Sequence, residues 1–66
     1  MVELWINGDE TSVNAQTMTA ILAELNLDDA VVATALNGEF IPIAARAGTK
    51  VAAGDKIEIL APMQGG

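Results

Sequence analysis

A single short helical pattern lies between stretches of alternating apolar residues, and this arrangement favours a helix packed on a sheet. Met18, Ile21, Leu22 and Leu25 follow the i, i+3, i+4, i+7 spacing of one helix face. Thr17 precedes them and is a suitable N-cap. A helix of about two turns is marginal on its own in water. It therefore needs a sheet to cover its apolar face.

Apolar and polar residues alternate with a period of two elsewhere in the chain, which predicts strands. The predicted strands are residues 2–6, about 10–14, 31–36, 39–41 and 56 to about 61. The pairs Asn7-Gly8 and Asn37-Gly38 are typical of tight hairpin turns. Pro42 has no N–H, so we predict that the fourth strand is short or lies at a sheet edge.

The order ββαβββ predicts an α+β fold, in which one helix packs across a mixed sheet of about five strands. We predict that the first and last strands are the central pair. The domain is expected to span residues 1–62, and residues 63–66 are expected to form a flexible C-terminal tail.

One face of this sheet is predicted to point away from the helix. Trp5 alternates with the core-facing positions of the first strand, and Leu60 shares its face if the first and last strands are neighbours. An exposed apolar sheet face is typical of a docking surface. The alternative is that Trp5 only covers its own neighbours. Phe40 is expected to pack in the core or at the edge.

The composition excludes most side-chain chemistry. The chain has 66 residues, which is one small domain, and it has no cysteine, histidine or tyrosine. Disulfides, thiolate catalysis and the commonest general base and metal ligand are therefore absent. We expect a protein that is not an enzyme, binds no cofactor of its own and is monomeric when free.

The net charge is −6, with three cations at Arg46, Lys50 and Lys56. A basic face for nucleic acid or a membrane surface cannot be built from them. The acidity suits a basic docking surface on a partner, or it only confers solubility. Arg46 and Lys50 are interpreted as isolated surface cations, which usually have no special role, and the alternative is that they contact a partner. No signal peptide or long apolar stretch is present, which predicts a cytoplasmic location.

The last two residues are the remaining candidate for chemistry. Gly65 and Gly66 lack Cβ atoms, so the backbone can pass through a narrow channel of a partner: Gly65 gives access, and Gly66 carries the reactive carboxylate. Met63 and Gln64 are candidates for anchoring this tail in a partner groove. The tail extends at most about 12–14 Å beyond the domain. The alternative is a chain end of small residues without a function.

The whole chain resembles a known family, the β-grasp sulfur carriers, and within it the ThiS branch of thiamine biosynthesis. The segments that carry the resemblance are Ile6-Asn7-Gly8, the helix 18–25, residues 32–39, Ile41-Pro42, residues 54–59 and Gln64-Gly65-Gly66. The resemblance implies a ubiquitin-like β-grasp fold.

The resemblance also implies a function. In this family a ubiquitin-activating-like enzyme uses ATP and magnesium to adenylate the carboxylate that matches Gly66. Sulfur from a cysteine desulfurase then converts it to a thiocarboxylate. The carrier delivers this sulfur to thiazole synthase and acts as a cosubstrate.

Residues 43–51 depart from the family pattern. Family members often carry an Arg and then an aromatic residue after the proline, whereas Ile43-Ala44-Ala45-Arg46-Ala47 stands here. We predict an irregular loop with a single turn around 44–47. The role of this loop is left open.

Three alternative functions remain at this point. They are a carrier similar to the small subunit of molybdopterin synthase, a ubiquitin-like protein modifier, and a regulatory ligand- or RNA-binding domain similar to the TGS type. The diglycine ending and the negative charge disfavour the last of these.

Overall fold

The computed structural model describes residues 1–61, and within them a mixed sheet carries one α-helix. The elements are β1 (Val2–Ile6), β2 (Asp9–Val13), α1 (Met18–Glu24), β3 (Ala33–Leu36), β4 (Glu39–Ile41), a 3₁₀ helix (Ile43–Gly48) and β5 (Lys56–Leu60). This order confirms the predicted ββαβββ arrangement.

The five strands form one sheet in the order β2-β1-β5-β3-β4. Two antiparallel hairpins, β1/β2 and β3/β4, lie on either side of β5. Strand β5 runs parallel to β1 and antiparallel to β3. The predicted pairing of the first and last strands is confirmed, and β4 is a short edge strand, as Pro42 requires.

The core lies between α1 and the inner face of the sheet. Alternation places Leu4, Ile57 and Ile59 on this face, where they pack against Met18 and Ile21 of the helix. Since α1 has only seven residues, its stability comes from this packing rather than from helix propensity.

Both ends of α1 are fixed by local hydrogen bonds. The N-cap Thr17 has extended backbone angles, and its hydroxyl accepts a hydrogen bond from the backbone N–H of Ala20 at 3.1 Å. Asn26 adopts a φ of 62°, which ends the helix in the polar turn that the sequence predicts. At that end the Glu24 carboxylate accepts from the backbone N–H of Asn14.

The segment after β4 differs from the expected single turn, because it forms a six-residue 3₁₀ helix. Arg46 of this helix is 8% exposed, so its interpretation as a surface cation was wrong. Its Nε donates to the Thr34 hydroxyl at 3.0 Å and its Nη2 donates to the Val32 carbonyl at 2.6 Å. The guanidinium is therefore bound by Thr34 of β3 and by the Val32 carbonyl just before that strand. Strand β3 begins at Ala33 rather than at residue 31.

Candidate functional site

The candidate site begins where β5 ends. Strand β5 stops at Leu60, and the sequence continues through Ala61 to the predicted tail. The predicted tail residues Met63, Gln64, Gly65 and Gly66 lie outside the described residues. The structure therefore defines the base of the tail and the sheet face around it.

The C-terminal half of β5 has partners on both of its sides. On the β3 side, Leu60 lies opposite Ala33. On the β1 side, the Asn7 carboxamide binds the Ile59 backbone twice, accepting from its N–H at 2.8 Å and donating to its carbonyl at 3.1 Å. The domain thus holds the strand on both sides up to the last two described residues.

Trp5 and Leu60 both lie on the outer face of the sheet, where Trp5 is 40% exposed and Leu60 is 67% exposed. Their positions along the sheet differ, because Trp5 lies opposite Lys56 at the start of β5. A rise of about 3.3 Å per residue separates these two ends of β5 by about 13 Å. The two predicted docking residues therefore share a face but do not form one cluster.

Leu60 is part of an apolar patch that spans three strands, which we define as Ala33, Ala35, Phe40 and Leu60. Ala33 lies opposite Leu60, and Ala35 lies between Phe40 on β4 and Glu58 on β5. The two small alanine side chains separate the two large ones. This patch extends from the level of Glu58, in the middle of β5, to Leu60, where the chain leaves the strand.

Phe40 was expected to pack in the core or at the edge, and it lies on the edge strand β4, with its side chain 64% exposed on the outer face. The two-residue turn Asn37-Gly38 pairs Phe40 with Ala35, so these two side chains share a face. The signal was present in the sequence, since Ala35 alternates with the core-facing Thr34 and Leu36. The exposure of Phe40 on the outer face was missed, because the hairpin register was not carried across the turn.

The surroundings of Trp5 are charged and polar. Glu10 and Lys56 lie opposite Trp5 on its two neighbouring strands. A shallow open cleft extends from Trp5 across Lys56 and Glu58, and both Asn-Gly turns contribute to its lining.

Two features are absent from the part of the chain that the structure describes. Within residues 1–61, the His, Cys, Asp and Glu side chains form no group of three or more that could hold a metal ion. Over the same residues, no helix has the length and apolar character needed to cross a membrane. The described residues leave the outer sheet face exposed beside the end of β5, from which the sequence continues to the predicted tail.

Comparison with solved structures identifies the class of fold. The chain is similar to the crystal structure of the thiamine biosynthesis protein ThiS from Geobacter metallireducens, with a TM-score of 0.82 and 35% sequence identity. The match covers 98% of this chain and 100% of that one. The fold is therefore a ubiquitin-like β-grasp, as predicted.

The family follows from the sequence itself. The model of the ThiS family matches residues 5–66, which include Gly65-Gly66. The chain belongs to the ThiS family.

A longer protein also contains a similar stretch. The chain is 41% identical to part of a thiazole synthase from Paramagnetospirillum magneticum, over 98% of its own length. It spans only 20% of the length of that relative.

Proposed function

We propose that this protein is a sulfur carrier for the synthesis of the thiazole of thiamine. The observation that carries the proposal is the ThiS family match, which runs through the diglycine to residue 66. The chain acts as a cosubstrate that partner enzymes load and unload, and it is not an enzyme itself.

The proposed reactive group is the carboxylate of Gly66. A free carboxylate is a poor electrophile, so it must first be activated as an acyl-adenylate by a ubiquitin-activating-like enzyme. That partner supplies the ATP and magnesium, and this chain binds neither as a cofactor. Persulfide sulfur from a cysteine desulfurase then attacks the adenylate and displaces AMP, and a thiol reductant such as excess cysteine cleaves the resulting acyl disulfide to leave the thiocarboxylate. Because the adenylation step consumes ATP, we place the loading of the carrier in the cytoplasm.

The other tail residues are assigned supporting roles. Gly65 has no Cβ, so the backbone beside the reacting carboxylate can enter a narrow channel. Met63 has a flexible apolar side chain and Gln64 has an amide that can pair with backbone groups, so both are suited to anchoring the tail in a partner groove.

The proposed acceptor of the sulfur is thiazole synthase. The relative from P. magneticum bears that name and contains a stretch similar to this whole chain within one longer protein. Joining a carrier and its acceptor in one chain raises their effective concentration, which is useful only if they act together. This supports the thiamine branch over a molybdopterin carrier, a protein modifier or a regulatory domain.

The outer sheet face is the proposed docking surface for the adenylating enzyme. The apolar patch that includes Leu60 lies beside the strand end that leads to the tail, and Trp5 provides a second contact about 13 Å away. The net charge of −6 favours a partner whose docking surface is basic around an apolar centre.

Adenylation can be tested by the exchange of labelled pyrophosphate into ATP, because formation of an acyl-adenylate is reversible. We expect exchange when the carrier, ATP, magnesium and an adenylating enzyme of this family are combined. Deletion of Gly66 shortens the tail by about 3.5 Å and should abolish exchange while leaving the circular dichroism spectrum unchanged.

Ile43→Ala is the control, since it truncates an exposed side chain of the 3₁₀ helix and leaves the tail and the Gly66 carboxylate unchanged; it should retain exchange. Undiminished exchange after deletion of Gly66 would contradict the proposal. So would the absence of exchange with wild type under conditions that adenylate a known carrier.

A further inference from the structure

The peptide groups of β5 point alternately toward its two neighbouring strands. The Lys56 carbonyl accepts from the Asn37 N–H at 2.7 Å on the β3 side, and the Ile57 carbonyl accepts from the Asn7 N–H at 2.9 Å on the β1 side. By this alternation the Ile59 peptide groups face β1. Strand β1 ends at Ile6, however, and its backbone turns away toward β2.

The side chain of Asn7 makes the hydrogen bonds to Ile59 that the backbone of β1 would make if that strand continued. Its Oδ1 accepts from the Ile59 N–H at 2.8 Å, and its Nδ2 donates to the Ile59 carbonyl at 3.1 Å. The carboxamide thus presents one donor and one acceptor, as a backbone peptide would. Asn7 has a φ of 52°, a left-handed conformation that asparagine adopts more readily than most residues.

We propose that Asn7 is a positioning residue for the C-terminal tail. By holding both peptide groups of Ile59, it fixes the place and the direction in which the chain leaves the sheet. This role rests on the proposed function, because it matters only if a partner must receive the Gly66 carboxylate.

Asn7 would affect delivery of the carboxylate because it restricts the conformational freedom of the chain at the end of β5. With Asn7 in place, β5 is held on both sides up to Ile59, and two residues, Leu60 and Ala61, then lead to residue 62. Without it, the end of β5 is held on the β3 side alone. The end of β5 then adopts a wider range of orientations, so the Gly66 carboxylate should enter the partner's site less often.

Asn37 provides a matched control at the opposite end of β5. It also precedes a glycine, has a φ of 51° and pairs its carboxamide with β5. Its Oδ1 accepts from the Lys56 N–H at 2.9 Å, and its Nδ2 donates to the Asp55 carboxylate at 3.1 Å. Glycine tolerates the left-handed conformation at both sites, so Asn7→Gly and Asn37→Gly remove comparable interactions without forcing a new turn.

The first measurement is amide hydrogen exchange by NMR on the whole chain. Asn7→Gly should accelerate exchange of the Ile59 amide and leave the Lys56 amide unchanged, while Asn37→Gly should do the reverse. Equal exchange rates of the Ile59 amide in wild type and Asn7→Gly would overturn the proposal, because the Asn7 carboxamide would then contribute nothing to the order of the end of β5.

The second measurement is the KM for the carrier in pyrophosphate exchange. Loss of these hydrogen bonds should raise the KM of Asn7→Gly about 3- to 10-fold with kcat unchanged, and Asn37→Gly should keep the wild-type KM. A purely structural role would affect both variants alike, so equal KM values would overturn the proposal. If wild type supports no exchange reaction at all, the proposed function fails instead, while the amide data still report the hydrogen bonds at Ile59.

Discussion

At the scale of single residues, Arg46 joins parts of the chain that are distant in sequence. Its guanidinium lies against the Thr34 hydroxyl and the Val32 carbonyl, and the same hydroxyl donates to the Ile41 carbonyl at 2.9 Å. Thr34 is almost fully buried, so its hydroxyl needs these partners. Arg46 therefore ties the 3₁₀ helix to β3 and, through Thr34, to the edge strand β4.

Replacement of Arg46 tests this structural role. Arg46→Met keeps an apolar stem of similar length but leaves the buried Thr34 and Val32 acceptors without their donor. We expect a loss of about 1–3 kcal/mol in the free energy of unfolding, measured by urea denaturation. Arg46→Lys should not restore stability, because one ammonium group cannot reproduce the planar guanidinium geometry.

The control for Arg46 is the exposed cation Lys50. Lys50→Met should change the free energy of unfolding by no more than about 0.5 kcal/mol. An equal effect of the two substitutions would show that the buried hydrogen bonds of Arg46 contribute nothing measurable.

The sequence contained part of the signal for this cluster. Alternation places Thr34 among core-facing positions, and a polar side chain there requires a partner. The identity of the partner could not be predicted, because Arg46 is 12 positions away, in a segment without periodicity. Local patterns predict which face a side chain occupies, but they do not predict which distant group satisfies it.

At the scale of elements, the helix and the strands were largely predictable because each has its own period. The helical stripe predicts α1 to within one residue at its C-terminus, and the Asn-Gly pairs predict both hairpin turns. The start of β3 was not predictable, since the Val32 carbonyl binds Arg46. The extent of the 3₁₀ helix was also missed, because residues 43–48 are mostly small and carry no clear pattern.

The outer face of the sheet yields a prediction at this scale. Leu60→Ala and Trp5→Ala should each weaken binding to the adenylating enzyme by about tenfold, measured by calorimetry, because both remove apolar contact area from the proposed docking surface. Their effects should add in the double variant, because the residues lie about 13 Å apart. Both side chains point away from the core, so the fold should persist.

Ile43→Ala is the control for docking. Ile43 is 75% exposed, but it lies on the 3₁₀ helix rather than on a strand of the sheet. This variant should bind as wild type does. If Leu60→Ala and Trp5→Ala also bind as wild type does, the outer face is not the docking surface.

At the scale of the whole molecule, the domain and the tail have different proposed roles. The described domain provides a compact support, an outer face for recognition and a strand that leads to residue 62. The chain has neither cysteine nor histidine, so the proposed chemistry is assigned to the Gly66 carboxylate and to the partner enzymes. The fold could be predicted from residue patterns, whereas the sulfur cargo was inferred from family resemblance alone.

The most direct test of the carrier role is the chemical state of the terminus after loading. The chain is incubated with ATP, magnesium, an adenylating enzyme of this family, and a cysteine desulfurase with cysteine. Replacing oxygen by sulfur adds about 16 Da, nearly the mass that oxidation of a methionine adds. Because the chain has no cysteine, a thiol-alkylating reagent distinguishes the two by reacting with the thiocarboxylate.

We predict a mass increase of about 16 Da that depends on ATP, is absent after deletion of Gly66, and makes the chain reactive toward the alkylating reagent. Met63→Leu should show the same increase, which excludes oxidation of the methionine nearest the terminus. An unalkylated chain of unchanged mass, under conditions that load a known carrier, would contradict the sulfur-carrier account.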